Sequence, residues 1–356
     1  MQESFSSLEM SARVRRDSAL MKAHALVDWE GLRPLLSGLY KREVSGAGGQ
    51  APFDALLMFK ATLLGQWHSL SDPKLEAALT VRIDFMHFCG LTLTDPIPDE
   101  STLCRFRNRL IDAGKLAPLL AAVNAQLQAH GLMVAQATGA VIDATLIASA
   151  ARPRRQTIIE HEAQADVDVD AAPSAPTVSE TQSVDPDAAW LKKGAKSHFG
   201  FRVYTTVDEG DGFVRGVHTA PANQSETTHF EAAVASADFK PVRTYADKGF
   251  ASAANRAHLR GQGIKSAIMH KAQRNKPLSQ RRRNANKAIS KTRYIVEQCF
   301  GTIKRIFCMG RASYLGTNRV NAQFTLKAMC LNLLKAANKI CLLPEPVGAV
   351  RVPCAT

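Results

Sequence analysis

The chain has 356 residues, 46% of them hydrophobic and 22% charged, enough apolar material for a buried core and for about two domains at ~150 residues each. That excludes global disorder, and with no run of about 18 apolar residues it excludes a membrane-spanning helix. Lys+Arg 45 against Asp+Glu 32 leaves a net charge of +13, a balance suited to a polyanionic partner.

The first twenty residues hold no apolar stretch of the kind a secretory leader needs. The seven cysteines (Cys89, Cys104, Cys299, Cys308, Cys330, Cys341 and Cys354) are scattered and never spaced C-x-x-C. This argues against a disulfide framework or a zinc site and fits a reducing cytoplasm.

Residues 1–135 read as helical. In PFDALLMFKATLLGQWHSL, Pro52 stands near a helix start and the apolar spacing fits a 3.6-residue period. SDPKLEAALTVRIDFMHFCG reads as the next helix, capped by Ser71 or Asp72 and stopped by Gly90. Asp99 or Ser101 caps a third, carrying Arg105, Arg107 and Arg109, and a fourth runs from about Lys115 to His130. The texture changes near Thr138. GAVIDATLIASA reads as a buried strand with Asp143 in its middle, and HFGFRVYTTVDEGDGFVRGVHTA as a hairpin turning at Asp208 to Gly212. HFEAAVASAD is helical, VRTYADKGF a strand with Asp247 at its end, residues 251–262 a helix and GIKSAIMH a strand. A basic loop then leads to the helix TRYIVEQCFGTIKRIFCMG, and a last helix covers about Val320 to Leu342.

Three meandering strands followed by a βαβ arrangement predict a mixed sheet flanked by helices. This is the strand order of the ribonuclease H-like nucleases. The fold expected is therefore an α/β catalytic domain over residues 136–319, preceded by an all-α domain over 1–135 and followed by a C-terminal helix and tail over 320–356. Within the α/β part, residues 156–189 hold eight acidic residues and no Lys or Arg, and read as a solvated, disordered insert.

Charge then inverts. From Arg256 to Arg319 there are sixteen Lys or Arg and a single acid, Glu297. Asp143 in a buried strand is costly unless paired or ligating a metal. Asp247 ends a strand at the place where open α/β sheets gather ligands. Together with Glu297 these carboxylates make a hard, oxygen-rich set suited to Mg²⁺, with Mn²⁺ as a substitute. At about 100° per residue, Arg293 and Lys304 lie within roughly 40° of Glu297. Val296, Cys299, Phe300, Ile303 and Phe307 form an apolar stripe to one side. One helix edge thus carries a carboxylate between two cations, placed for metal and phosphates; the alternative is an i,i+4 surface pair between Arg293 and Glu297.

At these residues the chain resembles the DDE transposases of bacterial insertion sequences, specifically the insertion sequence 5 group, related to the insertion sequence 4 group. VIDATLI around Asp143, YADKGF around Asp247 and RYIVEQCFGTIKR around Glu297 are similar to that group's three acidic motifs. Arg293, Glu297 and Lys304 match its Tyr-Arg-Glu-Lys signature, while Ser290 stands at the tyrosine position. HFGFRVY, TAPANQSETTHF and the helical stretch from Gln50 through Asn108 also look like the family, so the resemblance covers most of residues 40–335. It implies catalysis and metal binding by Asp143, Asp247 and Glu297. It implies cleavage of double-stranded DNA at the element's terminal inverted repeats, joining of the 3′ ends to target DNA, and a homodimer or higher multimer in the bacterial cytoplasm, bound to the nucleoid.

The DNA-binding candidates are Arg293, Lys304, Arg305, Arg281, Arg282 and Arg283 on the catalytic side and Arg105 and Arg109 on the N-terminal side. Asp99 to Leu110 reads equally as a recognition helix or a dimerisation helix. His198, His218 and His229 read as structural before catalytic, and Trp67 and Phe59 as core. Two competing readings remain: a non-catalytic DNA-binding protein derived from a transposase, and a nuclease of the same fold that only hydrolyses.

Overall fold

The computed structural model describes residues 13–40, 51–134, 138–151, 156–160, 177–181, 184–272, 277–341 and 352–353; ranges 156–160, 177–181, 341 and 352–353 are described by backbone alone. Between residues 13 and 134 every regular element described is helical: α1 (Ala19–Leu26), a 3-10 turn (Glu30–Leu36), α2 (Ala55–Trp67), α3 (Asp72–Val81), α4 (Ile83–Cys89), α5 (Glu100–Asp112) and α6 (Leu116–Ala129). Capping explains two of the starts. Asp54 accepts from the amides of Leu56 and Leu57 at α2, and Asp99 accepts from the Thr102 amide at α5, satisfying donors that a helix start leaves unpaired.

The stretch from Ser71 to Gly90, which the apolar pattern joins into one helix, is two. Arg82 takes extended backbone (ψ 111°) between α3 and α4. Its guanidinium lies 3.8 Å from the Phe85 ring centroid and pairs with Asp84 two residues on, a neighbour it would not face in a continuous helix. Gly90 ends α4 in the left-handed region, at φ 79°.

The second half alternates strands and helices: β1 (Gly139–Ala148), β2 (Gln156–Glu160), β3 (Thr177–Thr181), β4 (Ala189–Lys193), β5 (Lys196–Asp208), β6 (Val214–Pro221), α7 (Phe230–Ala235), β7 (Arg243–Ala246), α8 (Ala253–Gly261), β8 (Lys265–Ile268), α9 (Gln280–Arg305) and α10 (Thr317–Asn338). The main sheet runs β4-β5-β1-β7-β8, with β6 also paired to β5. β1 is antiparallel to β5 and parallel to β7, and β7 is parallel to β8. β5 is long enough to take two successive partners on one edge, β4 along Lys196–Gly200 and β6 along Phe201–Val207.

Alternation along β1 divides the core. Val141 and Ile147 face a large apolar core shared with α1–α6, α9 and α10, while Ile142 faces a smaller one with Tyr204, Phe230, Phe250 and Leu259 beneath α7 and α8. Helix α10 runs through the large core and is buried on nearly every side, Lys327 and Asn332 included. Asn332 Oδ1 accepts from the Val214 amide at 2.9 Å, and its amide donates to Asn124 Oδ1 and to the Val214 carbonyl at 2.8 Å each. That network ties α10 to α6 and β6.

Two expectations about the second half change. The basic run Arg281, Arg282, Arg283, Lys287 and Lys291 is not a loop. It lies in the first half of α9, which begins after Pro277 with Ser279 capping the Arg282 amide; the run's Ala, Arg, Lys and Gln are good helix formers. The acidic segment 156–189 is not one disordered insert. Residues 156–160 and 177–181 within it form an antiparallel ladder of β2 with β3, separate from the main sheet. Asp185 is buried (1% exposed), accepting from Ser149 Oγ and from the Gly316 amide at the start of α10. Residues 161–176 and 182–183 lie outside the described residues.

Candidate active site

Asp143 and Asp247 come together through register. The parallel pairing of β1 with β7 ends at Ile142 opposite Ala246, so the next residue on each strand is an aspartate. Adjacent strands lie about 4.8 Å apart, and side chains two positions on from Val141 and Tyr245 turn to the face covered by α9. Asp143 Oδ1 accepts from the Ala144 amide at 2.8 Å, and Asp247 Oδ1 accepts from the Lys248 amide at 2.5 Å, where it caps a 3-10 turn (Lys248–Phe250).

Arg293 of α9 reaches between the two. Its Nη2 donates to Asp143 Oδ2 at 2.7 Å, and its Nη1 lies 3.6 Å from Asp247 Oδ1. The Arg293 side chain is 11% exposed, and its Nε is buried without a hydrogen-bond partner among the described residues. Burial pushes the Asp143 carboxyl above its ordinary value, Arg293 pulls it down, and Asp247 pushes it up again. The surroundings therefore disfavour two bare negative charges, and Arg293 supplies the compensating cation.

Glu297 sits one turn beyond Arg293 on α9, exposed to solvent, and its side chain has no ion pair or hydrogen bond among the described residues. Arg293 thus pairs with the aspartates rather than with Glu297. Among the described residues no three His, Cys, Asp or Glu side chains are gathered closely enough to hold a metal ion. Two of the three expected carboxylates are brought together, and the third stands nearby on the same helix edge. The expected apolar stripe is buried throughout, with Val296, Cys299, Ile303 and Phe307 at 0% exposure; it fixes the azimuth of α9 and hence of Arg293.

Lys304 lies further along that edge. Its Nζ donates to the Leu146 carbonyl of β1 at 2.9 Å, and burial lowers its ammonium pKa. β7 stops at Ala246 while β1 continues to Ala148, and a cleft of about 660 Å³ opens along that stretch of β1. Lys193, His198, Arg202, Glu226 and Lys304 line it. Arg305, Arg281, Arg282 and Arg283 are exposed.

In the helical half, Arg105 and Arg109 are exposed on α5, Arg109 over the Tyr40 ring. Arg107 differs from them. It is buried, bonded to Asp72 at 2.5 Å and stacked 4.4 Å from the Tyr314 ring centroid. His218 and His229 bond to each other at 3.0 Å beside Tyr204, on the sheet face opposite the aspartates. Phe59 is core and Trp67 packs on Phe307. Nothing in the polar loop after β6 marks Glu226 in the sequence; only the fold brings it to the cleft.

A family profile described as "Transposase DDE domain" matches residues 136–333, and one described as "Transposase domain (DUF772)" matches residues 8–109. The chain belongs to the DDE transposases. It is 42% identical over 236 residues to the transposase for insertion sequence element IS1106 of Neisseria meningitidis serogroup B, an alignment covering 66% of this chain and 78% of that relative. The family implies nucleotidyl transfer, an action on DNA and a use of divalent metal ions. In this transposase the paired aspartates suit such an ion chemically: two carboxylates with a cation already between them are hard oxygen donors with unspent negative charge. Among the described residues no helix is long and apolar enough to cross a membrane.

Proposed function

We propose that this transposase cleaves double-stranded DNA at the terminal inverted repeats of its insertion sequence and joins the freed 3′ ends to target DNA. The observation that carries the reading is the placement of Asp143 and Asp247 at neighbouring positions of β1 and β7, on the face covered by the helix bearing Glu297. The order β6-β5-β1-β7-β8, with the first three strands antiparallel and the last three parallel, supports the ribonuclease H-like assignment.

Asp143, Asp247 and Glu297 would hold the metal, Mg²⁺ or Mn²⁺, which when bound polarises the scissile phosphate and offsets charge on the leaving oxygen. The chain's own groups do the remainder. Arg293 and Lys304 flank Glu297 on α9 and reach the strand that carries Asp143, so cations stand on both sides of Glu297 where they can hold DNA phosphates. Arg305, Arg281, Arg282 and Arg283 extend this surface outward along α9 and position DNA through its phosphates. The helices of residues 1–135, with Arg105 and Arg109 exposed on α5, recognise the element's ends or pair two copies of the chain. Residues 136–319 supply catalysis and 320–356 the C-terminal helix and tail.

A single assay tests this. Purified protein is mixed with labelled end-sequence DNA, a target plasmid and Mg²⁺. Nicking followed by joining supports transposition; nicking alone indicates a nuclease that only hydrolyses; binding alone indicates a DNA-binding derivative. Either of the last two outcomes overturns the reading.

A further inference from the structure

Glu226 lies in the loop between β6 and α7 and is half-buried. Its Oε1 is 3.1 Å from Arg202 Nη1 of β5. Its other oxygen, Oε2, has no ion pair or hydrogen bond among the described residues and lies against Gly249, two residues past Asp247. The approach is so close that a Cβ on Gly249 would overlap Oε2. The glycine's φ is not in the left-handed region. Backbone conformation therefore does not require glycine here; room for the Glu226 carboxylate does.

The same side chain senses both aspartates. Burial raises the Glu226 carboxyl, Arg202 opposes this, and the negative charges of Asp143 and Asp247 raise it further. Glu297 makes no comparable contact among the described residues. The loop thus uses a half-buried arginine to hold a carboxylate against the Gly249 turn, within electrostatic reach of two like charges, an arrangement that costs energy unless a cation is shared.

We propose that Glu226 is a fourth carboxylate of the catalytic site, directed at the metal that Asp143 and Asp247 would hold, and that Gly249 is the gap that admits it. This rests on the metal-dependent reading above and adds a ligand or a close outer partner to it. Arg202 is the positioning residue, holding one oxygen and leaving the other against Gly249, two residues past Asp247.

The test is Mn²⁺ binding to the full chain without DNA, read from the free-ion electron paramagnetic resonance signal. The variants are Asp143→Asn, Glu226→Gln and Gly249→Ala. The last adds only a methyl group at a φ that alanine tolerates, and it displaces the end of a flexible side chain. Loss of such a partner typically weakens metal affinity about 10–100-fold. The expected result is a weakening of that size in both Glu226→Gln and Gly249→Ala, with thermal unfolding in metal-free buffer close to wild type for Gly249→Ala. If Asp143→Asn weakens Mn²⁺ binding and the other two do not, Glu226 is only the partner of Arg202 and the inference falls while the metal reading stands. If Asp143→Asn leaves binding unchanged, the metal reading itself falls and takes this inference with it. If Glu226→Gln weakens binding but Gly249→Ala does not, the role given to Gly249 is overturned.

Discussion

Helices α9 and α10 touch each other and both carry basic side chains, yet they treat charge in opposite ways. On α10, Lys327 is 2% exposed, and its Nζ donates to the Phe307 carbonyl at 2.6 Å, Ser69 Oγ at 3.2 Å and the Gln66 carbonyl at 3.3 Å. All three of its protons have acceptors, so nothing remains for a ligand. On α9, Arg293 is nearly as enclosed but has an unpartnered Nε and two carboxylates that lack a second cation. Lys304 uses one proton on a carbonyl and lines an open cleft. The difference teaches that burial of a charge does not mark function; incomplete satisfaction beside open space does.

Experiments can break or sharpen this contrast. The largest effect is expected at the aspartates. Asp143→Ala or Asp247→Ala should lower end cleavage by ~10³-fold or more while end binding persists, since the positioning cations remain. Near-normal cleavage in either variant removes that residue from the required set. Next comes Lys327→Ala, which strands buried carbonyls and leaves a cavity at the centre of the core. A loss of about 3–5 kcal/mol in denaturant unfolding is expected, with no change in the salt dependence of DNA binding; a changed salt slope would put α10 on the DNA side after all.

A pH effect of intermediate size should come from His24 on α1. Burial holds its pKa down, from 6.5 to about 4. The unfolded chain therefore takes up a proton before the folded one does, and stability falls as pH drops from about 6.5 towards 4. His24→Leu should flatten thermal stability across that window, by up to about 3 kcal/mol at its lower end. Parallel pH profiles for wild type and variant would rule His24 out.

The smallest effect is at Lys304. Lys304→Ala should lower stability by only about 1 kcal/mol but reduce the salt slope of end-DNA binding by about one unit, as loss of one phosphate contact does. Equal slopes would assign Lys304 to the Leu146 carbonyl alone and place it with Lys327.

The aspartates were legible because each ends or interrupts a β-branched run, and a strand's period of two fixes the face an isolated charge must share. The register that sets Asp143 beside Asp247 was not, because pairing across about a hundred residues leaves no local trace. The partner of Arg293 was hidden for a related reason: helical spacing points to Glu297, whereas the side chain crosses to β1 and β7. The break at Arg82 carries no Gly or Pro, so the apolar pattern ran straight through it. Asp185 looked like one more solvated acid; its burial depends on Ser149 and on the start of α10, both distant in sequence. The ladder of β2 with β3 and the strand β4 did not announce themselves because each strand is only five residues long, without a sustained apolar alternation.

The Arg293 bridge also bears on readiness. An ion entering between Asp143 and Asp247 must compete with a cation already tethered there at very high local concentration. Its apparent dissociation constant is the intrinsic one divided by the fraction of molecules in which the arginine has swung aside. A DNA phosphate bound within reach of Arg293 would give it an alternative partner and enlarge that fraction. Under the proposed reading, substrate and ion would therefore bind with positive linkage, each strengthening the other by the same factor, and the ion would be held most tightly with DNA in place.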